Sequence, residues 1–428
     1  MTQLLPSGFG LGGHIETSLL GPQNQRKENF LINTDRYSDT AMGRALIASM
    51  LGVGHTIPNP AVGCVIVKDG VILAEGATEM LGGRHAERVA FDTLRACGMS
   101  SDSTEVYVTL EPCSHFGRQP PCCELFKNSG IARLHAALKD PNPKVSGQGF
   151  DYIRKLQIPI VLSEGQSRFA ATAWLLPFLV QNTLNRPLMV AKWAQTLDGA
   201  TADHFGNSQW ITGPSARAHG HWLRLKYDVT AIGLSTLIHD KPLLTVRDCW
   251  RANDRQPHVC VIDPLGRFNP NNEEHVSSLD RLVSAADNRQ VALMSPADHS
   301  QRISEKINMR VNRIPIKNIA SEKLGETIRN TFQSELMAHW LGRMPQSVYV
   351  EGGATLLSLL FEADCIDAMH VFTASKLLGG QAKRVGSSTH TTPALAMASH
   401  FDILSTTTLG DDILVELTHS RITHQFFS

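Results

Sequence analysis

Two neighbouring stretches, HAERVAFDTLRA (85–96) and EVYVTLEPCSHFGRQPPCC (105–123), decide how this chain reads. The first opens on His85-Ala86-Glu87 and predicts a helix running to about Ala96. The second predicts a strand over Glu105 to Leu110, whose end delivers Glu111-Pro112-Cys113, with Cys122 and Cys123 beyond it. One imidazole and two thiolates form a zinc-ligand set, and three protein ligands leave the fourth position to water. Glu87, two residues past the histidine, is not needed as a ligand and can move protons to and from that water. This layout implies hydrolytic deamination of a nucleobase-like ring. The common cysteine spacing in such sites is P-C-x-x-C. Here the loop Ser114 to Pro121 is inserted, and both Cys122 and Cys123 are available as the second thiolate. A purely structural zinc would want a fourth protein ligand, for which His115 is the candidate. The loop has a second reading: His115 and Arg118 put donors and positive charge beside the metal, which suits a substrate carrying phosphate.

Outward from this pair, Ala61 to Val67 reads as a buried strand, Asp69-Gly70 as a hairpin turn and Val71 to Glu75 as the partner strand. Met42, Ala45, Leu46 and Met50 recur at helical spacing within Asp39 to Leu51, and Thr56 to Pro60 is a turn. Arg133 to Leu138 and Ile158 to Leu162 are further strands, and a helix is expected from Cys122 to about Ser129. The alternation implies an α/β fold with helices against a mixed sheet. Helix starts would bring His85 and Cys122 together, with a strand end setting Cys113 beside them. Asn182 to Pro187 reads as a domain junction. The alternation then restarts with strands at Leu188 to Trp193, Thr230 to Gly233, His258 to Ile262, Gln290 to Leu293, Val348 to Val350 and Ala368 to Phe372. No repeat relates the halves. The expected units are an irregular extension (1–36), a zinc deaminase domain (37–185) and a second α/β domain (186–428).

The 428 residues carry 40 basic and 40 acidic side chains, so charge offers no broad grip on nucleic acid. The most apolar run, Trp174 to Val180, is short and contains Pro177, so no membrane span is expected. The first twenty residues lack the basic start and apolar stretch of an export signal. The eight cysteines therefore read as thiols in a reducing, cytoplasmic setting. Cys64, Cys97, Cys249, Cys260 and Cys365 read as buried or incidental thiols.

Beyond these readings, PNPAVGCVIV (58–67), HAE (85–87), TLEPCSHFGRQPPCC (109–123) and DPNPKVSGQG (140–149) resemble the bifunctional riboflavin-biosynthesis deaminase/reductase family. The resemblance continues through KWAQTLDG (192–199), SQWITGP (208–214), LLTVR (243–247), VEGGATL (350–356) and KLLGG (376–380). It implies a cytidine-deaminase-like three-layer α/β/α domain followed by a dihydrofolate-reductase-like α/β domain. It also implies two reactions. The first is zinc-dependent deamination of 2,5-diamino-6-(5-phosphoribosylamino)pyrimidin-4(3H)-one, and the second is NADPH reduction of its ribosyl group to ribityl. By resemblance, His85, Cys113 and Cys122 hold zinc and Glu87 is catalytic. Asn59, His115 and Arg118 contact the phosphoribosyl pyrimidine in the first domain. Ser208, Arg224, Leu244, Arg247 and Glu351 match substrate positions in the second, and Ala194, Trp210, Thr236, Asp240 and Gly353 match cofactor positions. The family also implies a homo-oligomer.

The chain departs from the family pattern at four places. Arg84 replaces a proline before HAE, and Thr78 replaces a histidine seven residues before His85. Asp240-Lys241-Pro242 replaces Asp-Asp-Pro, reversing a charge beside the expected NADPH site. Gly233-Leu-Ser-Thr236 varies the usual glycine-rich form. Two other readings follow: an active deaminase with a degenerate reductase domain, and a zinc-stabilised binding module without turnover. Glu87 argues against the last, because a structural site has no use for that carboxylate.

Overall fold

The computed structural model describes residues 40–117, 119–143, 145–249, 255–297, 310–316, 323–380, 382–385 and 398–427. The 1–36 extension and Arg118 lie outside them. The first sheet has five strands: β1 (Gly63–Lys68), β2 (Val71–Ala77), β3 (Glu105–Val108), β4 (Arg133–Ala136) and β5 (Ile160–Leu162). Their order is β2-β1-β3-β4-β5. The first two pairings are antiparallel and the last two parallel. Asp69 and Gly70 both take positive φ, as the tight turn between β1 and β2 requires.

Helices Ala41–Ser49 and Ala86–Ala96 cover opposite faces, giving three layers. Two glycines on paired strands set their closeness. A Cβ on Gly63 would lie 1.8 Å from Ala45 O. One on Gly76 would lie 2.2 Å from Ala86 O. Gly76 thus lets the start of the second helix, with His85 and Glu87, sit directly against the sheet. The core between the layers includes Val65, Ile66, Val106, Phe91, Leu94 and Leu134.

The second sheet contains β6 (Leu188–Thr196), β8 (Val229–Gly233), β9 (His258–Ile262), β10 (Val291–Pro296), β11 (Val311–Ile316), β12 (Ser347–Glu351), β13 (Ala368–Ala374), β15 (Phe401–Leu409) and β16 (Asp412–His419). Short strands β7 (Ala200–Ala202) and β14 (Lys383–Arg384) pair separately. The order β11-β10-β9-β8-β12-β6-β13-β16-β15 is parallel as far as β13 and antiparallel beyond it. From β8 the chain proceeds outward to β11. It then returns through β12 and continues on the far side of β6. The carboxyl ends of β6, β12 and β8 therefore flank a switch point, where ligands bind in such sheets.

Three features differ from expectation. Residues Cys122–Phe126 form a five-residue 3₁₀ turn instead of a helix to Ser129. The segment is held tightly at its start, where Cys122 N–H reaches Cys113 Sγ and Cys123 N–H reaches Cys113 O. It stops before Asn128, whose φ is positive. Strands β11, β15 and β16 were not anticipated. Nor was the long helix Gly165–Leu184, which carries Pro177 in its interior. That helix sends Ala171, Leu175 and Leu179 into the first core, and Leu176 and Val180 into a core of the second sheet. The junction that follows it is tied down: Arg186 pairs with buried Asp367, which also accepts Met189 N–H. Among the described residues no helix is long and apolar enough to cross a membrane.

Candidate active sites

In the first domain, His85 caps its helix in extended conformation, and Cys113 follows the end of β3. Cys113 Sγ lies 3.5 Å and Cys122 Sγ 3.4 Å from His85 Nδ1. Tetrahedral zinc, with bonds of about 2.3 Å to sulfur and 2.0 Å to nitrogen, gives an S···N edge of about 3.5 Å. The three donors therefore fit zinc as they stand. Among the described residues this trio is the only such group of metal-ligating side chains, and His115 is not part of it. A zinc ion held by these three would have a fourth position for water.

Hydrogen bonds from Cys122 and then from His85 hold the Cys113 thiol well below its ordinary value. Cys122, the proton donor of the pair, is pushed up by Cys113 and by burial. A cation bound here would favour both sulfurs as thiolates. Cys123 faces the apolar core, where burial raises its thiol to about 12.

Glu87 is 4 % exposed. Burial, and then the neighbouring Cys113 thiolate, push its carboxyl up to about 7. That places a group able to take and return a proton near neutrality beside the three donors. His115 is exposed on the inserted loop, and Asn59 is half-buried in the turn before β1. Thr78, standing where the family has histidine, accepts Val62 N–H at 3.2 Å and donates back to Val62 O. Arg84 forks onto Glu79 and Asp92, so its charge is neutralised next to His85.

One residue of this region had no anticipated role. Glu111 is buried and accepts four backbone N–H groups, from Asp140, Gly147, Gly149 and Phe150. Its only sequence trace is the acidic residue inside an otherwise apolar strand end.

In the second domain, Gly233 and Gly353 begin the helices Leu234–Asp240 and Ala354–Glu362 from adjacent parallel strands β8 and β12. A Cβ on Gly353 would sit 3.5 Å from Thr236 Oγ1. The nine-residue helix start has the backbone amides that suit a diphosphate, as expected of Gly353. Ala194 lies toward the carboxyl end of β6, and Asp240 ends its helix exposed. Trp210 is 61 % exposed with the Arg217 guanidinium 4.6 Å over its ring, so it is not a core residue. Ser208 is half-buried in the same loop.

Glu351 forms a two-pronged pair with Arg224, and Lys192 Nζ lies 3.7 Å from it. Burial alone would raise the Glu351 carboxyl, but Arg224 and Lys192 hold it at about 2. Arg224 also donates to Thr245 O at 2.9 Å. Its fork is thus occupied, whereas Arg247, the other arginine expected at the substrate, is half-buried beside Thr245. The Leu244 side chain packs in the core, leaving only its backbone to a ligand. Lys192 was missed. A lysine inside the apolar run Leu188–Thr196 is the mark that could have found it. Lys241, the reversed charge, pairs with Glu274 at 2.9 Å.

A family profile for the cytidine and deoxycytidylate deaminase zinc-binding region matches residues 37–138. One for the RibD C-terminal domain matches residues 187–415. The riboflavin biosynthesis protein RibD of Actinobacillus pleuropneumoniae is 34% identical over 377 residues, covering 88% of this chain and 93% of that protein. Its Escherichia coli counterpart is 35% identical, covering 80% and 89%. Among solved structures, the diaminohydroxyphosphoribosylaminopyrimidine deaminase/5-amino-6-(5-phosphoribosylamino)uracil reductase of Thermotoga maritima superposes with a TM-score of 0.72. It is 30% identical and covers 90% of this chain and 99% of its own. Acinetobacter baumannii RibD gives 0.70 at 28% identity, with the same coverage. With both halves matched in order, this chain belongs to the RibD family of riboflavin biosynthesis, bifunctional enzymes that join a zinc-dependent deaminase to an NADPH-dependent reductase.

Proposed function

We propose that the first domain deaminates 2,5-diamino-6-(5-phosphoribosylamino)pyrimidin-4(3H)-one and that the second reduces the ribosyl group of the product to ribityl. The observation that carries the first step is the His85, Cys113 and Cys122 triad with buried Glu87 beside it. Zinc held there supplies an acidified water as nucleophile. Glu87 takes a proton and returns it to the departing amine, so water and the amino-pyrimidine become the oxo-pyrimidine and ammonia. Asn59 is assigned to the ring, and His115 and Arg118 to the phosphoribosyl side.

In the second domain, NADPH supplies the hydride. Ala194, Trp210, Thr236, Asp240 and Gly353 are assigned to it, and Ser208, Leu244, Arg247, Glu351 and Arg224 to the substrate. The Arg224–Glu351 pair acts as one fixed unit. Two observations favour a working reductase over a degenerate one. The strand-to-helix turns at Gly233 and Gly353 stand side by side on adjacent parallel strands, and Lys241 pairs with Glu274. None of the eight cysteines is joined in a disulfide, which supports a reducing cytoplasmic setting, and we expect a homo-oligomer.

The test is sequential. Zinc-loaded protein given the diamino substrate releases ammonia, and NADPH is then oxidised in stoichiometric amount. Ammonia release with no NADPH oxidation, even on purified deaminated intermediate, overturns the reductase half.

A further inference from the structure

We infer that Glu111 is a positioning residue of the deaminase site: a carboxylate that clamps the loop 140–147 against the turn bearing Cys113 and so builds one wall of the substrate cleft. The inference rests on the deaminase reading above and extends it to a residue outside the metal set.

The geometry is specific. Helix Gln148–Lys155 begins at Gly147, which has φ +82° and no side chain with which to cap the first turn. A helix start exposes N–H groups that need acceptors. Glu111 supplies them from a distance in sequence. Oε1 accepts Gly149 N–H at 3.0 Å and Phe150 N–H at 3.2 Å. Oε2 accepts Gly147 N–H at 3.0 Å and Asp140 N–H at 3.1 Å. One carboxylate therefore serves as a helix cap and closes the loop from 140 to 147 at both ends, with charge of the sign a helix start favours.

The fit is close on the other side too. A Cβ on Gly149 would lie 2.0 Å from Pro112 O, so the helix start rests on the peptide immediately before Cys113. The clamped loop turns a carboxylate toward the site. Asp140 is half-buried and within electrostatic reach of Glu111, His115 and Cys113, and its Oδ1 accepts Asn142 N–H at 2.8 Å. Asp140 in that loop and His115 on the inserted segment thus both lie near Cys113. Neither can hold that spacing if residues 140–149 drift. Glu111 touches none of the three metal donors in its hydrogen bonds, so its effect falls on the wall and not on the metal.

The experiment is Glu111→Gln in the full zinc-loaded chain. An amide replaces one acceptor oxygen with a donor facing two N–H groups. The deaminase kcat/KM should fall by about 10–100-fold, the scale of losing hydrogen bonds to a charged group, with the loss carried mainly by KM. Zinc content, the visible spectrum of the cobalt-substituted protein and NADPH oxidation on deaminated intermediate should match the parent. An unchanged kcat/KM overturns the inference, as does zinc loss or an altered cobalt spectrum, which would make Glu111 a support of the metal. If that variant does not fold, Gly149→Ala strains the same contact with the carboxylate kept, and a normal KM there overturns the inference. Absence of deamination by the parent chain defeats the deaminase reading and is seen before any variant is compared.

Discussion

Glu87 sits among groups that decide where its proton resides. Burial favours the neutral acid, and the Cys113 thiolate adds to that push. A bound dication works in the opposite direction, so the two oppose each other at the site. Replacing Glu87 with Gln keeps shape and burial while removing the proton carrier. Ammonia release should drop by about 10²–10⁴-fold with zinc still bound, as metal analysis would show; near-parental turnover would remove Glu87 from the chemistry. The adjacent cysteines separate as sharply. Cys122 is within 3.4 Å of His85 Nδ1, whereas Cys123 turns into the apolar core. Cys122→Ser should empty the site and Cys123→Ser should keep zinc near one per chain. Equal losses would reject this ligand choice. The residue types of the trio were legible in the chain. The choice between two neighbouring cysteines was not derivable from spacing alone, because it depends on which side chain the 3₁₀ turn aims at His85.

At the scale of elements, the helix Ala354–Glu362 is placed by β12, and Gly353, assigned above to the cofactor, is the residue that joins them. A Cβ there meets Thr236 Oγ1 only at van der Waals distance. Gly353→Ala should therefore fold normally yet crowd a cofactor at that helix start. The KM for NADPH should rise about tenfold, equivalent to about 1.4 kcal/mol, with melting temperature unchanged; parental NADPH affinity would move the cofactor elsewhere. Elements with a clear apolar pattern, such as His258–Ile262, were legible to the residue. The edge strand Phe401–Leu409 was not. Its Ser/Thr-rich stretch has no buried alternation, and it is a strand because Asp412–His419 pairs with it. Residues 122–126 were misread for a related reason: their backbone answers to Cys113, nine residues earlier.

Across the whole molecule, the halves share material instead of hanging from a loose linker. The helix Gly165–Leu184 enters both cores, Trp174 stacks on Trp222, and Gln346 donates to Pro58 O in the turn that carries Asn59. The second sheet is closed at the amino ends of β8 and β12 by fully buried Asp228. This residue binds Arg343 at 2.7 Å, Arg255 at 3.0 Å and Gln346 N–H at 3.1 Å. Burial alone would raise the Asp228 carboxyl, but Arg343 and Arg255 win and lower it. A carboxylate depressed in the folded state contributes stability above its unfolded pKa of about 3.9 and loses it as pH falls through the folded value. Asp228→Asn should cost about 3–5 kcal/mol at neutral pH, since two guanidinium groups lose their charge partner. Its melting temperature should also fall less steeply than the parent's below about pH 4. Coincident melting curves at pH 7 would refute the network's role.

The sequence by itself determined the chemistry and the order of the two halves. Ligand types, the free carboxylate and the long apolar strands are local properties that survive translation into one dimension. Tertiary structure alone decided which cysteine meets His85, that Arg224 is committed to Glu351, and that Glu111 gathers four amides from a loop some thirty residues away. Each of these depends on distance in space between segments remote in sequence, and burial makes such contacts strong because water no longer competes for the same groups.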